Sequence, residues 1–318
     1  MVTRIRQVSG FVLLHRFDQN PHQMPDSDMG IKMDSTEPEW AEQRRWWYSQ
    51  TYIIFELVKL LQHREVVFIE KANPAIVDRK PRVVRCCAGY TFDMLKSNFH
   101  AFHVMDYPYM NLYYSVMHLD KMPLFSYSPV VRAQKYTEWS NGAYKSHWQS
   151  YDFCIDLDGN TIEEARQDLL KIKKTFDQYK IPMSIRFSGS KGFHLCVESR
   201  WLPQLPENKI VSMLGELGTM MKEIDNIPSL DDSIFDSRRV LKLPYSFCAG
   251  NIVLPLDDEQ LANFTMDMVK PENVIKSVQI KNRGLLERHT DQTEETARAS
   301  FLKMASEFIN TKKFLGGK

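Results

Sequence analysis

Cysteine is scarce and unpatterned in this chain: there are five in 318 residues, and no two stand in C-x-x-C spacing. An odd, irregular set excludes a disulfide framework and a zinc ribbon or knuckle, and it fits a reducing compartment. No structural zinc is expected. Long apolar runs are also missing. No stretch approaches the roughly 18 residues a membrane span needs, and Arg4 and Arg6 precede a mixed stretch unlike a signal peptide. The expectation is an intracellular protein, cytoplasmic or at the nucleoid or nucleus, with no membrane partner. Excess charge of either sign is absent too, the formal net charge being +1. Any nucleic-acid site must therefore be a local basic groove. There is no internal repeat and no low-complexity segment. What remains, 43% hydrophobic and 25% charged residues, is ordinary for a globular chain long enough for one large core or two joined ones.

The stretch that organises the chain is Tyr151–Asp158, YDFCIDLD. Phe153, Ile155 and Leu157 alternate with Cys154, Asp156 and Asp158, the pattern of a half-buried strand. Two carboxylates then share one face, roughly 6–7 Å apart at the backbone. Like charges that close repel unless a cation sits between them, and hard oxygen donors suit Mg²⁺ or Mn²⁺. Alone, D-x-D is more often a pair of solvent-facing acids before a turn, here Gly159-Asn160.

Upstream, a polar loop through Gln19–Asp34 precedes a helix opened by the capping box Thr36/Glu39 and striped by Trp47, Ile54, Phe55, Val58 and Leu61. A strand at Val66–Ile69 follows, then a basic segment, Arg79–Arg85, leading into a second strand. Such charge is the ordinary make-up of a solvated face, with template contact as the alternative. Asn111–Leu119 reads as one strand and Tyr127–Trp148 as an aromatic, basic connector. Downstream, Thr161/Glu164 opens a helix with Ala165, Leu169, Ile172 and Phe176 on one face. Strands at Met183–Phe187 and Phe193–Glu198, a helix at about Glu207–Ile224 and a strand at Ile252–Leu256 follow. This strand–helix–strand–strand–helix–strand order implies an α/β (α+β) sheet covered by helices, close to an RNA-recognition-like core. A last helix, about Asp291–Ile309, buries Ala297, Phe301, Met304 and Phe308.

Two further segments carry chemistry. Ser188-Gly189-Ser190-Lys191-Gly192-Phe193-His194 is a glycine-flanked turn offering amides, two hydroxyls, Lys191 and His194, a set suited to a polyphosphate. As a lone segment it reads equally as a hairpin loop with an incidental histidine. The segment Leu230–Ser246 adds carboxylates at Asp231, Asp232 and Asp236 near the cations Arg239 and Lys242.

Together these segments resemble the archaeo-eukaryotic primase superfamily, closest to the catalytic small subunit of DNA primases. Cys154–Asp158 matches the family's hDhD strand, and Ser188–His194 its S-G-x-x-G-h-H turn. Arg239, Lys242, Pro244 and Ser246 match its R-x-x-[RK]-x-P-x-S run, and Gln62-His63-Arg64-Glu65 with Phe68 its R-E-h-x-F pattern. The similarity covers roughly residues 50–260, and four ordered motifs are far more specific than one.

The resemblance implies a primase-polymerase fold: a catalytic domain over 1–260, with an N-terminal α/β module to about 125 and an RNA-recognition-like module from about 150. A C-terminal helical extension, 261–318, would follow. It implies two-metal nucleotidyl transfer from NTPs or dNTPs for primer synthesis in DNA replication or repair. Asp156, Asp158 and Asp231 would hold two Mg²⁺ or Mn²⁺ ions, with Asp236 and Asp232 as alternates for the third. Ser188, Ser190, Lys191, His194, Arg239, Lys242 and Arg64 would bind the nucleotide. Single-stranded DNA template is the implied partner, together with a primase large subunit or a helicase. The chain departs from the family in lacking a zinc-binding insertion and in placing Ser190 where an Arg often stands. Extension-only repair synthesis, a D-x-D glycosyltransferase and a non-catalytic replication factor are the competing functions. The glycosyltransferase leaves the glycine turn and the Arg239–Lys242 pair unexplained.

Overall fold

The computed structural model describes residues 39–70, 82–88, 91–101, 104, 110–120, 138, 142–278 and 291–316, with two short strands before them. Those strands, β1 (Arg6–Val8) and β2 (Phe11–Leu13), form an antiparallel hairpin within a small unit, Met1–Pro38. Glu39–Lys318 forms the second unit. The Gln19–Asp34 loop, Thr36, Arg79–Pro81 and most of the 127–148 connector lie outside the described residues.

The second unit opens with helices α1 (Glu39–Ser49) and α2 (Thr51–Leu60), then strands β3 (Glu65–Glu70) and β4 (Arg82–Ala88). Helix α3 (Phe92–Ala101) and strands β5 (Met110–Ser115), β6 (Met117–Leu119) and β7 (Trp148–Tyr151) follow. Next come β8 (Phe153–Asp158), α4 (Ile162–Gln178), β9 (Ser184–Phe187), β10 (Gly192–Val197) and α5 (Glu207–Ile224). The chain continues through the short strands β11 (Val240–Lys242), β12 (Phe247–Cys248), β13 (Asn251–Ile252) and β14 (Pro255–Leu256). Helices α6 (Asp258–Ala262), α7 (Pro271–Val278) and α8 (Glu294–Gly316) complete it. Among the described residues no helix is long and apolar enough to cross a membrane.

Two four-stranded antiparallel sheets position the site, one ordered β14-β9-β10-β8 and the other β11-β5-β3-β4. In the first, β8, α4 and β9 flank β10, the split unit of an RNA-recognition-like core. The fourth strand, β14, pairs with β9 rather than β8, so the outer edge of β8 is left to another segment. Helix α4 begins as its capping box dictates: Glu164 N donates to Thr161 Oγ1 at 3.1 Å and Thr161 N to Glu164 Oε2 at 3.2 Å. Its buried face, Ala165, Leu169, Ile172 and Phe176, lies on the sheet, with Phe176 stacked on Phe153 at 6.2 Å. Each such large apolar side chain contributes about 1.5–3 kcal/mol by leaving water. Phe301 of α8 meets Phe153 edge-on at 5.8 Å.

Three expectations change. The helix through Trp47 and Leu61 is broken at Gln50, whose backbone is extended (ψ 116°). Trp47 Nε1 donates to Tyr245 O at 2.6 Å and Phe247 N donates to Tyr48 Oη at 3.0 Å, so α1 is tied to the 245–247 segment before α2 starts. Phe55 leaves the apolar stripe, 53% exposed beside Phe92. The strand read at Asn111–Leu119 divides at Val116, whose N–H donates to Arg239 O while its carbonyl accepts from Asp152 N. There the chain leaves one sheet and pairs with β7 instead. Ile252–Leu256 likewise divides, β13 pairing with β12 and β14 with β9.

Candidate active site

The register of β8 against β10 sets His194 opposite Asp156 and Gly192 opposite Asp158. Glycine is required at 192, because a Cβ there would stand 1.9 Å from Leu157 O and 2.7 Å from Asp158 Oδ1. Gly189 turns the chain at φ +89°, a conformation open to glycine, with Cys248 Cβ 2.6 Å from any added Cβ. The turn is closed by Ser188 N donating to Gly192 O at 2.9 Å and Asn251 Nδ2 to Gly189 O at 3.3 Å. Ser190 and Lys191 are exposed at its tip. Ser188 is only 1% exposed, yet among the described residues its Oγ has no hydrogen-bond partner. A buried hydroxyl without a protein partner is costly unless water or a ligand satisfies it.

The outer edge of β8 is taken by residues 229–231. Asp158 N donates to Ser229 O at 2.8 Å and Asp231 N to Asp156 O at 3.0 Å, around a Leu157–Leu230 bridge. Asp168 of α4 fixes this segment through Ser229 N (3.2 Å) and Oγ (2.7 Å). Asp231 thus lies beside Asp156, completing a row of three carboxylates. Its Oδ1 accepts from Ser233 N at 2.9 Å, and Arg239 Nη2 reaches its Oδ2 at 3.3 Å and Asp156 Oδ2 at 3.8 Å. Asp232 turns away to Lys222 at 3.4 Å, and Asp236, exposed, accepts from Arg238 N at 3.0 Å in its own turn. The structure therefore brings Asp231, and neither alternate, to Asp156 and Asp158.

Lys242 comes from the other sheet, opposite Tyr113. Its charge and that of Arg239 act on Asp156, whose pKa is nonetheless pushed up to about 6, first by burial and next by Asp158. Asp231 goes the other way: burial raises it, but the Ser233 hydrogen bonds and the charges of Arg239 and Lys222 hold it below its ordinary value. His194 is held well below the usual histidine range by burial and by the charges of Arg186, Lys242 and Arg239. Its Nδ1 accepts from Arg186 Nε at 3.3 Å, which assigns the ring proton to Nε2, 3.4 Å from Asp156 Oδ1.

Arg64 is not brought to this cluster. It is 4% exposed, paired with Asp152 Oδ2 at 2.5 Å and donating to Ser115 O at 3.3 Å. Its guanidinium lies over one ring, Tyr114, that Arg186 also covers, at 5.3 and 5.0 Å. Its burial and its pairing with Asp152 hold it inside the fold. Of the basic segment, Arg85 is tied to Glu65 at 2.7 Å and to Arg238 O at 3.0 Å.

Arg186 and Tyr113 are residues the sequence reading missed. Arg186 orients His194 and donates to Tyr114 Oη, joining the two sheets. Tyr113 has its pKa raised to about 12 by burial, with Cys248 and Asp156 adding to it. A single Arg or Tyr in a short strand carries no sequence signal; the alternation of β9 gives Arg186 no distinguishing feature.

Among the described residues, no three His, Cys, Asp or Glu side chains form a ready-made metal cage. Arg239 stands between Asp156 and Asp231 where such a cage would close. The donors nevertheless fit a hard divalent cation. They are carboxylate oxygens, and one of them, Asp156, has its pKa raised to about 6 by burial and then by Asp158, a shift that a bound cation would oppose.

No protein-family model matches the chain, and no curated protein sequence matches it. A solved structure does: the polymerase domain of Mycobacterium tuberculosis ligase D, in complex with DNA. The likeness has a TM-score of 0.50 at 9% identity and covers 77% of this chain and 89% of that one. At that identity the likeness is one of fold, and it agrees with the α/β primase-polymerase architecture expected from the motifs.

Proposed function

We propose that this chain is a nucleotidyltransferase acting on DNA, a primase-polymerase that joins NTPs or dNTPs to a template-paired 3′ end or to a second nucleotide. The observation that carries the reading is the row Asp156, Asp158, Asp231 lying beside a glycine-hinged turn whose buried Ser188 Oγ has no partner among the described residues. Acid, hydroxyl, imidazole and two cations from separate chain segments share one small area. Nucleotidyl transfer needs that combination, and a solvated D-x-D does not.

Asp156, Asp158 and Asp231 would hold Mg²⁺ or Mn²⁺, which would lower the pKa of the attacking hydroxyl and neutralise the leaving pyrophosphate. Ser188 Oγ, the 188–192 amides and Lys191 would receive the triphosphate. His194 binds as a neutral donor through Nε2–H, its tautomer fixed by Arg186. Lys242 and Arg239 supply the positive charge that grows in value as negative charge develops on the leaving group. In the absence of nucleotide, Arg239 is engaged with Asp231 and Asp156, and it is partly exposed, so a phosphate can compete for it. The polymerase domain matched in fold was solved with DNA, which supports DNA as the second substrate.

The test is incorporation of labelled NTPs and dNTPs on single-stranded DNA, with and without primer, in Mg²⁺ and in Mn²⁺. Template-dependent products that vanish in Asp156→Ala and Asp158→Ala are expected, and products without primer would establish priming. No incorporation under any of these conditions, or hydrolysis of a nucleotide sugar instead, would overturn the reading.

A further inference from the structure

On the same sheet face as Asp156 and His194, one register step further along, Cys154 stands directly opposite Cys196. Both are buried, 4% and 5% exposed. The backbone bonds at the outer edge of β8 show which type of pair this is. Asp156 O and Asp158 N bond outward to Asp231 and Ser229, so the two-residue period turns the Cys154 peptide groups outward as well. Cys154 and Cys196 are thus a non-hydrogen-bonded pair, the kind whose Cα atoms lie about 4.5 Å apart with side chains close together. That separation falls inside the roughly 4.4–6.8 Å a disulfide accepts.

The two sulfurs differ in their surroundings. Cys196 Sγ accepts from Arg186 Nη2 at 2.9 Å, and Tyr114 Oη lies 3.9 Å away. A sulfur ringed by donors, one of them a buried guanidinium, is the environment that favours thiolate. Among the described residues no cation is hydrogen-bonded to Cys154, so the two thiols are not equivalent. A pocket of about 20 Å³, lined by Met183, Ser184, Glu198, Arg200 and Trp201, reaches Cys196. That is room for one water-sized molecule.

We propose that Cys196 and Cys154 are a peroxide-reactive pair, Cys196 the attacking thiolate and Cys154 the resolving thiol, closing a reversible cross-strand disulfide. Cys196 Sγ attacks one oxygen of hydrogen peroxide, the O–O bond breaks, and the departing hydroxide takes a proton and leaves as water. Cys196 is then a sulfenic acid. Cys154 sulfur attacks it, the S–O bond breaks, and the hydroxyl leaves with the Cys154 proton as a second water. Two thiols are oxidised and one peroxide is reduced, so the step balances. A guanidinium bonded to Cys196 Sγ stabilises the reduced thiolate form, as suits a labile rather than a structural disulfide. The proposal is independent of the catalytic reading, because it rests on a different pair of side chains and its readout is chemical.

The test uses the full chain, folded, treated with hydrogen peroxide, then alkylated, digested and weighed. The expected product is a peptide pair joined through Cys154 and Cys196, lighter than the two reduced peptides by two hydrogens and separated by dithiothreitol. In Cys154→Ser, a dione probe should label Cys196 as sulfenic acid. In Cys196→Ser, Cys154 should stay reduced. Recovery of both cysteines as free thiols after a peroxide dose that oxidises other thiols would overturn the proposal. So would a bond from either to another cysteine, or sulfenic acid found first on Cys154.

Discussion

Asp156→Asn should make the protein more stable at neutral pH while abolishing nucleotide incorporation. The folded-state pKa of Asp156 is about 6 against an ordinary value of 3.8, so folding disfavours its charged form. The sign follows from linkage. Below about pH 3.8 the carboxyl is protonated in both states and costs nothing. As pH rises from there through 6, the unfolded chain gains from ionising and the folded one does not. At roughly 1.4 kcal/mol per pH unit, the penalty approaches about 3 kcal/mol above pH 6. Asparagine keeps an oxygen for His194 Nε2–H and removes the charge. Arg239 loses a 3.8 Å partner but keeps Asp231, a loss of well under 1 kcal/mol for a partly exposed pair. The net expectation is about 2 kcal/mol of added stability at pH 7–8, closing to nothing near pH 4. Urea unfolding of both proteins across that range measures it directly. Added Mg²⁺ should narrow the gap by stabilising the parent protein more than the variant. A variant no more stable than the parent at pH 8, or a gap that does not change with pH, would refute the electrostatic account of this strand.

The other predictions use the same geometry. His194→Ala should weaken nucleotide binding by about 1.5–3 kcal/mol, the value of a lost hydrogen bond to a charged group, with DNA affinity unchanged in a titration of each. Asp231→Asn should raise the Mn²⁺ concentration needed for half-maximal activity, whereas Asp236→Asn, altering only a local turn, should leave the metal curve where it is. Gly192→Ala should destabilise by about 3 kcal/mol or more in thermal melts, because its Cβ meets backbone at 1.9 Å and the strand pair must part. Arg64→Ala should cost about 3–5 kcal/mol by leaving Asp152 buried without its guanidinium, and the nucleotide KM of the folded fraction should not move.

How far the sequence disclosed this arrangement depends on what fixed each part. Helix α4 was legible because its capping box and its apolar face are both local, and tertiary packing had only to accept them. The acidic strand β8 and the glycine turn leading into β10 were legible for a similar reason: alternation and glycine spacing are properties of a few consecutive residues. The breaks at Gln50 and Val116 were not legible. At Val116 the N–H and the carbonyl bond to different parts of the fold, and nothing in NLYYSVMHL specifies where one partner gives way to the other. Arg64 misled for a related reason. The resemblance implies that it binds nucleotide, and only the fold supplies the buried Asp152 and the Tyr114 ring that hold it inside.

Asp231 shows how spacing and physics converge on one residue by different routes. Motif spacing singled it out among three acids, but spacing gives no reason for the choice. The reason is the sheet order. With β14 on the far edge beside β9, the outer edge of β8 has peptide groups at Asp156 and Asp158 that need partners. Ser229 and Asp231 provide them, and a residue bonded by its own N–H to Asp156 O has its side chain carried alongside Asp156. Asp232, next in sequence, begins the 3-10 turn Asp232–Ile234 and reaches Lys222 instead. Asp236 lies beyond the Asp232–Ile234 turn, where the chain has left the sheet edge. A third carboxylate at 231 is therefore a consequence of where the fourth strand docks. Moving β14 to the β8 edge would cover those peptide groups and displace Asp231 from the acidic row.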